Sequence, residues 1–169
     1  EPGELRDEDK KVIETVEAGL DSVGELIEGV RLRAALQEAL RVASEVNKYL
    51  DDMAPWSAVK TDKDAAAKTI YSAIRCIDTL KIIFSPFLPH TCETLQGILG
   101  YEGPIFGNQF TEEVEDSLGT HTVLRYDGSN ATGAWEASKL KGGESFEKPS
   151  PLFKKLEPSV ADDERARMA

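Results

Sequence analysis

Residues 32–56 read LRAALQEALRVASEVNKYLDDMAPW, and the fold turns on how this run begins and ends. Its apolar side chains, Leu32, Ala35/Leu36, Ala39/Leu40, Ala43, Val46 and Tyr49/Leu50, recur every three or four positions, the spacing of one helical face. Pro55 stops the pattern. It disfavours the helical region for Ala54, so the helix is predicted to close at or just before that residue, with Trp56 on the connection to the next helix. A helix with so broad an apolar stripe needs neighbours, and the flanking sequence supplies them.

Upstream, from Asp7, the residues Val12, Ile13, Val16, Leu20, Val23 and Leu26/Ile27 keep the same spacing and predict an amphipathic helix with an acidic outer face. Its acidic opening suits the positive end of the helix dipole. Gly19 and Gly24 weaken the helix and favour close approach of a neighbouring backbone, and a break is expected near Gly29. Downstream, Thr61-Asp62-Lys63-Asp64 has the form of a capping box, with Thr61 accepting from the first free amides and Asp64 reaching back. A third helix follows, with Ile70, Ile74, Ile77, Leu80 and Phe84 on one face and Pro86 as its end. A fourth, from Pro89 to Leu99, turns Leu95, Ile98 and Leu99 inward and stops at Gly100. The expected fold is all-α, an antiparallel helical bundle over residues 1–100.

Beyond Gly100, glycines at 103, 107, 119, 128, 133, 142 and 143 punctuate short apolar pieces, so an irregular extension is expected over residues 101–158. Thr122-Val123-Leu124-Arg125-Tyr126 before Asp127-Gly128 reads as a short strand or extended clip, and Trp135 as an anchor to the bundle. Pro151-Leu152-Phe153, with Leu156, is expected to pack back on the helices, and residues 159–169 to form a frayed tail.

A chain of 169 residues with 40% hydrophobic content can bury one sizeable core. Its formal net charge of -11 opposes contact with phosphates over the molecule as a whole. The charge is uneven: residues 1–29 carry 3 basic and 10 acidic side chains, whereas residues 30–60 carry 5 and 4. The surroundings of Trp56 are therefore among the least acidic in the chain. Cys76 and Cys92 belong to no cluster with metal-ligand spacing, and no metal is expected; they read as buried thiols of a cytoplasmic protein. No run of 18 or more apolar residues predicts a membrane span. Adjacent acidic pairs such as Asp51/Asp52 need not face one another, and no nucleophile-histidine arrangement accompanies His90 or His121, so nothing indicates an autonomous hydrolase.

Three short stretches carry a resemblance. Asn47-x-Tyr49 with Pro55-Trp56 and then Lys60, the proline-broken run Phe84-Ser85-Pro86-Phe87-Leu88-Pro89-His90-Thr91, and Pro151-Leu152-Phe153-Lys154-Lys155-Leu156-Glu157 resemble, in the same order, the anticodon-binding domain and linker peptide of the methionyl-tRNA synthetase family, class I aminoacyl-tRNA synthetases. The resemblance implies that Trp56 stacks on an unstacked anticodon base of methionine tRNA with Pro55 as its support. Single-stranded loops are read in this way, each base stack contributing about 1–3 kcal/mol. Lys48 and Lys60 are candidate phosphate contacts, and Asn47 and Tyr49 hold the helix end and turn together. The family also uses an asparagine and an arginine on an earlier helix, for which no matching segment exists here, and neither the HIGH nor the KMSKS signature that positions ATP is present. The expectation is therefore a fragment, with ATP and Mg serving a catalytic domain elsewhere in the same enzyme, and with no membrane or DNA partner. The alternative is a helical protein-interaction bundle in which Trp56 is a hot spot for a partner protein.

Overall fold

The computed structural model describes residues 2–168. Helices α1 (Asp7–Glu28) and α2 (Leu32–Met53) form a hairpin closed by the three residues between them, and the four-residue helix α3 (Pro55–Ala58) turns the chain into α4 (Lys63–Phe84). Helix α5 (Pro89–Ile98) follows, then strands β1 (Asn108–Asp116) and β2 (Gly119–Asp127), and finally α6 (Val160–Met168). The three long helices make the core. Val12, Ile13 and Val16 of α1 meet Val42, Val46 and Tyr49 of α2 and Cys76 of α4 at one end. Leu20 and Val23 meet Ala35, Ala39 and Ile83 at the other. Burial of these side chains is the main term holding the bundle together.

The faces differ from those the periodicity predicts. On α2 the buried residues are Ala35, Ala39, Val42, Val46 and Tyr49, while Leu32, Leu36 and Leu40 are exposed. Ala35 and Ala39 pack with Leu20, Val23 and Ile83, and the helices approach closely beside them: a Cβ on Gly19 would lie 3.1 Å from both methyls of Val42 and 3.2 Å from Cδ1 of Ile83. Gly19 thus admits side chains from two helices rather than a neighbouring backbone. On α4 the buried face carries Thr69, Ser72, Cys76, Thr79 and Ile83, and Ile70 is exposed. The α4 cap is also shifted by one residue. Thr61 N and Asp62 N both donate to the Ala58 carbonyl, which keeps Thr61 in the preceding turn, and Asp62 accepts from Ala65 N at 2.9 Å.

The expected all-α class is corrected by an antiparallel two-stranded sheet, in which Asn108 to Asp116 pairs with Gly119 to Asp127 in register. Glu93 of α5 holds the neck of this hairpin, accepting from Ile105 N and Phe106 N at 3.0 Å each. Gly107 is required there, because a Cβ would sit 2.1 Å from the Asp127 carbonyl oxygen. A buried polar cluster ties the neighbouring segment to α4: Lys81 Nζ donates to Asp78 at 2.7 Å and to Gln96 at 2.6 Å, and Tyr101 OH donates to Asp78 at 2.6 Å.

The chain after the hairpin runs back over α1 and α4. Trp135 is an anchor, as its sequence context predicts: its Nε1 donates to the Leu20 carbonyl at 3.0 Å and sits against Gly24, whose missing side chain makes the room. Ser138 N donates to Thr79 Oγ1 at 3.0 Å, and Leu140 is buried. Glu147 N, bonded to the Ile98 carbonyl, ends this strap. The linker motif does not follow it onto the bundle. Phe153 and Leu156 are 65% and 73% exposed, and among the described residues the last core side chain along the chain is Leu140. The expected frayed tail is helical over Val160–Met168, with none of its residues buried.

Candidate functional site

The site is built at the joint between α2 and α4. Helix α2 ends as its proline demands, but Ala54 leaves the helical region for the left-handed one, with φ 38° and ψ 60°, rather than for an extended conformation. Its N–H still donates to the Leu50 carbonyl at 2.9 Å, and its carbonyl accepts from Ser57 and Ala58. A non-glycine residue at positive φ is uncommon and costs energy that the surroundings must offset. Pro55 occupies the first position of α3, where its missing N–H leaves nothing unsatisfied, and it is buried. Trp56 follows it with 58% of its surface exposed. A buried proline thus fixes the backbone beneath a solvent-facing indole.

The other residues singled out from the sequence divide into two groups. Asn47 and Lys48 lie exposed on the last two turns of α2, and Lys60 is exposed in the turn after α3. Neither lysine makes an ion pair among the described residues, so both ammonium groups remain available to an anion. Asp51 and Asp52 on α2, and Asp62 and Asp64 at the start of α4, lie close to the same joint in sequence and are also exposed. The local charge is balanced rather than basic, which makes the aromatic face the distinctive feature of the surface. Tyr49, by contrast, is buried and faces inward.

Tyr49 leads to a component that the sequence reading missed. Its hydroxyl donates to Asp9 Oδ1, and Asp9 has no exposed surface. Asp9 also accepts from Arg6 N at 2.8 Å, Nε at 2.9 Å and Nη2 at 2.6 Å. Arg6 Nη2 in turn donates to Thr69 Oγ1 of α4 at 2.7 Å. Burial pushes the Asp9 carboxyl up, yet the donations from Arg6 and Tyr49 outweigh it and hold it below the usual carboxylate range. Burial, and then Asp9, push the Tyr49 phenol up to about 12. Asp9 is one of three acidic residues in the first turn of α1, and in the sequence nothing but its place three residues after Arg6 marks it from Asp7 and Glu8.

No helix among the described residues is long and apolar enough to cross a membrane. No group of three or more His, Cys, Asp or Glu side chains among them is placed to hold a metal ion.

Comparison with known proteins identifies the family. Residues 1–125 match the family described as the anticodon binding domain of methionyl tRNA ligase. Methionine–tRNA ligase of Chloroflexus aggregans is 46% identical over 169 residues, covering 99% of this chain and 28% of that protein. The enzyme of Thermobifida fusca is 36% identical over 174 residues, at 99% and 29%. The chain thus spans under a third of the length of these relatives. Among solved structures, the apo form of Mycobacterium tuberculosis methionyl-tRNA synthetase superimposes with a TM-score of 0.57 at 21% identity, over 60% of this chain and 21% of that one, a likeness of fold. The methionyl-adenylate complex of the same enzyme gives 0.56. With a family match over most of its length, this chain belongs to the anticodon-binding domain family of the methionyl-tRNA ligases.

Proposed function

We propose that this chain is the tRNA-recognition part of a cytoplasmic methionine-tRNA ligase, and that it receives an unstacked anticodon base of methionine tRNA on the face of Trp56. The observation that carries this reading is the pairing of a buried Pro55 with an exposed Trp56 on a turn held at both sides by helices. An indole presented on a restrained backbone loses little freedom when a base stacks on it, and stacking tolerates the neutral local charge. Lys48 and Lys60 supply phosphate contacts at the rim, and Asn47 supports the end of α2. Activation of methionine with ATP and Mg, and its transfer to tRNA, belong in this proposal to the catalytic domain of the same enzyme.

The test uses the full-length ligase. Trp56→Ala is expected to lower kcat/KM for tRNA charging by an amount equivalent to about 1–3 kcal/mol, while methionine-dependent pyrophosphate exchange stays unchanged. Trp56→Phe, which keeps an aromatic face, should retain most of the activity. Unchanged charging by Trp56→Ala, or equal loss in charging and exchange, would instead make Trp56 a structural residue or a contact for a partner protein.

A further inference from the structure

A fully buried carboxylate near the base of the turn calls for an explanation beyond helix capping. We propose that Asp9, acting through Tyr49, is a positioning residue for Trp56: it fixes the end of α2 against α1 and α4 and so sets where the indole stands for tRNA. The proposal rests on the reading of Trp56 as the base-stacking residue. Asp9 accepts four donors, three from Arg6 and one from Tyr49. Arg6 reaches on to Thr69 of α4, so one carboxylate joins the start of α1, the end of α2 and the first half of α4. Helix α3 joins the last two of these elements and packs on α4.

The backbone after Tyr49 shows what such a clamp is for. Ala54 holds a positive φ without being a glycine, a conformation whose cost the surroundings must offset. On one flank Pro55 is buried. On the other, the last turns of α2 are held by Leu50 and Met53 packed on the core and by the Tyr49 hydroxyl in the buried network. Apolar packing alone permits small rotations of a helix end, because one methyl contact replaces another. A charged hydrogen bond between rigid groups does not, since a misaligned donor leaves the carboxylate buried and short of a partner.

A plain staple and a positioning device both stabilise the fold, so thermal stability does not separate them. Steady-state charging of a methionine tRNA transcript by the full-length ligase does. It is measured well below the melting temperature of every variant, with pyrophosphate exchange as the control. Tyr49→Phe removes one hydroxyl and keeps the ring in the core, so it is expected to fold; Asp9→Asn keeps the shape and removes the charge. Both are expected to raise KM for tRNA by roughly three- to tenfold with kcat and exchange little changed. In the double variant Tyr49→Phe/Trp56→Ala, charging should fall no further than in Trp56→Ala alone, because the hydroxyl acts only through the indole. If Trp56→Ala raises KM but Tyr49→Phe and Asp9→Asn lower only the melting temperature, the clamp is a staple and this proposal is overturned while the stacking role stands. If the double variant loses the product of the two single effects, Tyr49 acts independently of Trp56 and the proposal also fails. If Trp56→Ala itself leaves kcat/KM for tRNA unchanged, the stacking role falls first.

Discussion

Asp7, Glu8 and Asp9 stand side by side in the first turn of α1, yet only Asp9 is buried, and this difference has a pH signature. The folded carboxyl titrates below its ordinary value, so its stabilising contribution is complete above the unfolded value of about 3.9 and is lost as pH falls through the folded one. Wild-type chain should therefore lose melting temperature steeply below about pH 4. Asp9→Asn should melt lower at neutral pH and show a shallower acid slope; parallel curves would mean that another carboxylate carries the acid transition. Tyr49 has the opposite sign. Its contribution holds below the unfolded phenol value of about 10 and disappears as pH rises toward about 12. The thiols follow burial alone in their leading cause: Cys76 is pushed up to about 12 and Cys92 to about 11. Both should resist a thiol reagent at neutral pH in the native chain and react at once in denaturant.

At the scale of the element, two glycines inside helices make opposite predictions. A Cβ on Gly97, in the last turn of α5, would meet nothing within 4 Å, so Gly97→Ala should gain helix propensity and raise stability by up to about 1 kcal/mol. A Cβ on Gly19 would press on Val42 and Ile83, both without exposed surface, and Gly19→Ala should lower stability by about 1–2 kcal/mol despite the same propensity gain. Urea midpoints at unchanged slope would check both. The same contact explains what was legible in the sequence. Helix positions followed from periodicity and proline, because those are properties of one segment. Helix faces did not follow as well, because Leu32, Leu36 and Leu40 outweigh Ala35 and Ala39 in hydrophobicity while it is the two alanines that pack with Leu20, Val23 and Ile83. On α4, Thr69 and Thr79 are buried because Arg6 and Ser138, each about sixty positions away, bond to them. No local pattern encodes such partners. Trp56 was legible for the converse reason: its setting is a turn whose chemistry is written in two adjacent residues.

Over the whole molecule, the helical core and the strap that Trp135 and Leu140 anchor form one packed body, and the remainder lies outside it. The β-hairpin was half legible, since Thr122 to Tyr126 has strand character. Its partner strand carries Glu112, Glu113, Glu115 and Asp116, residues that predict no strand until pairing and a tight neck impose one. The linker at Pro151 departs from its expectation in the other direction, since apolar residues between prolines suggest a docked strap while Phe153 and Leu156 stand exposed. Limited proteolysis of the isolated chain separates these regions. Chymotrypsin should cut first after Phe153 or Leu156, which are exposed in a segment without regular structure. A slower cut should follow after Leu118, 88% exposed at the hairpin turn, where the two strands remain paired on either side. The first cut should leave the melting temperature within error of the intact chain, because no core side chain follows Leu140. The fragment should also keep its full helical signal except for the loss of α6. A marked drop in melting temperature on the first cut would show instead that the segment beyond the cut packs on the bundle in solution.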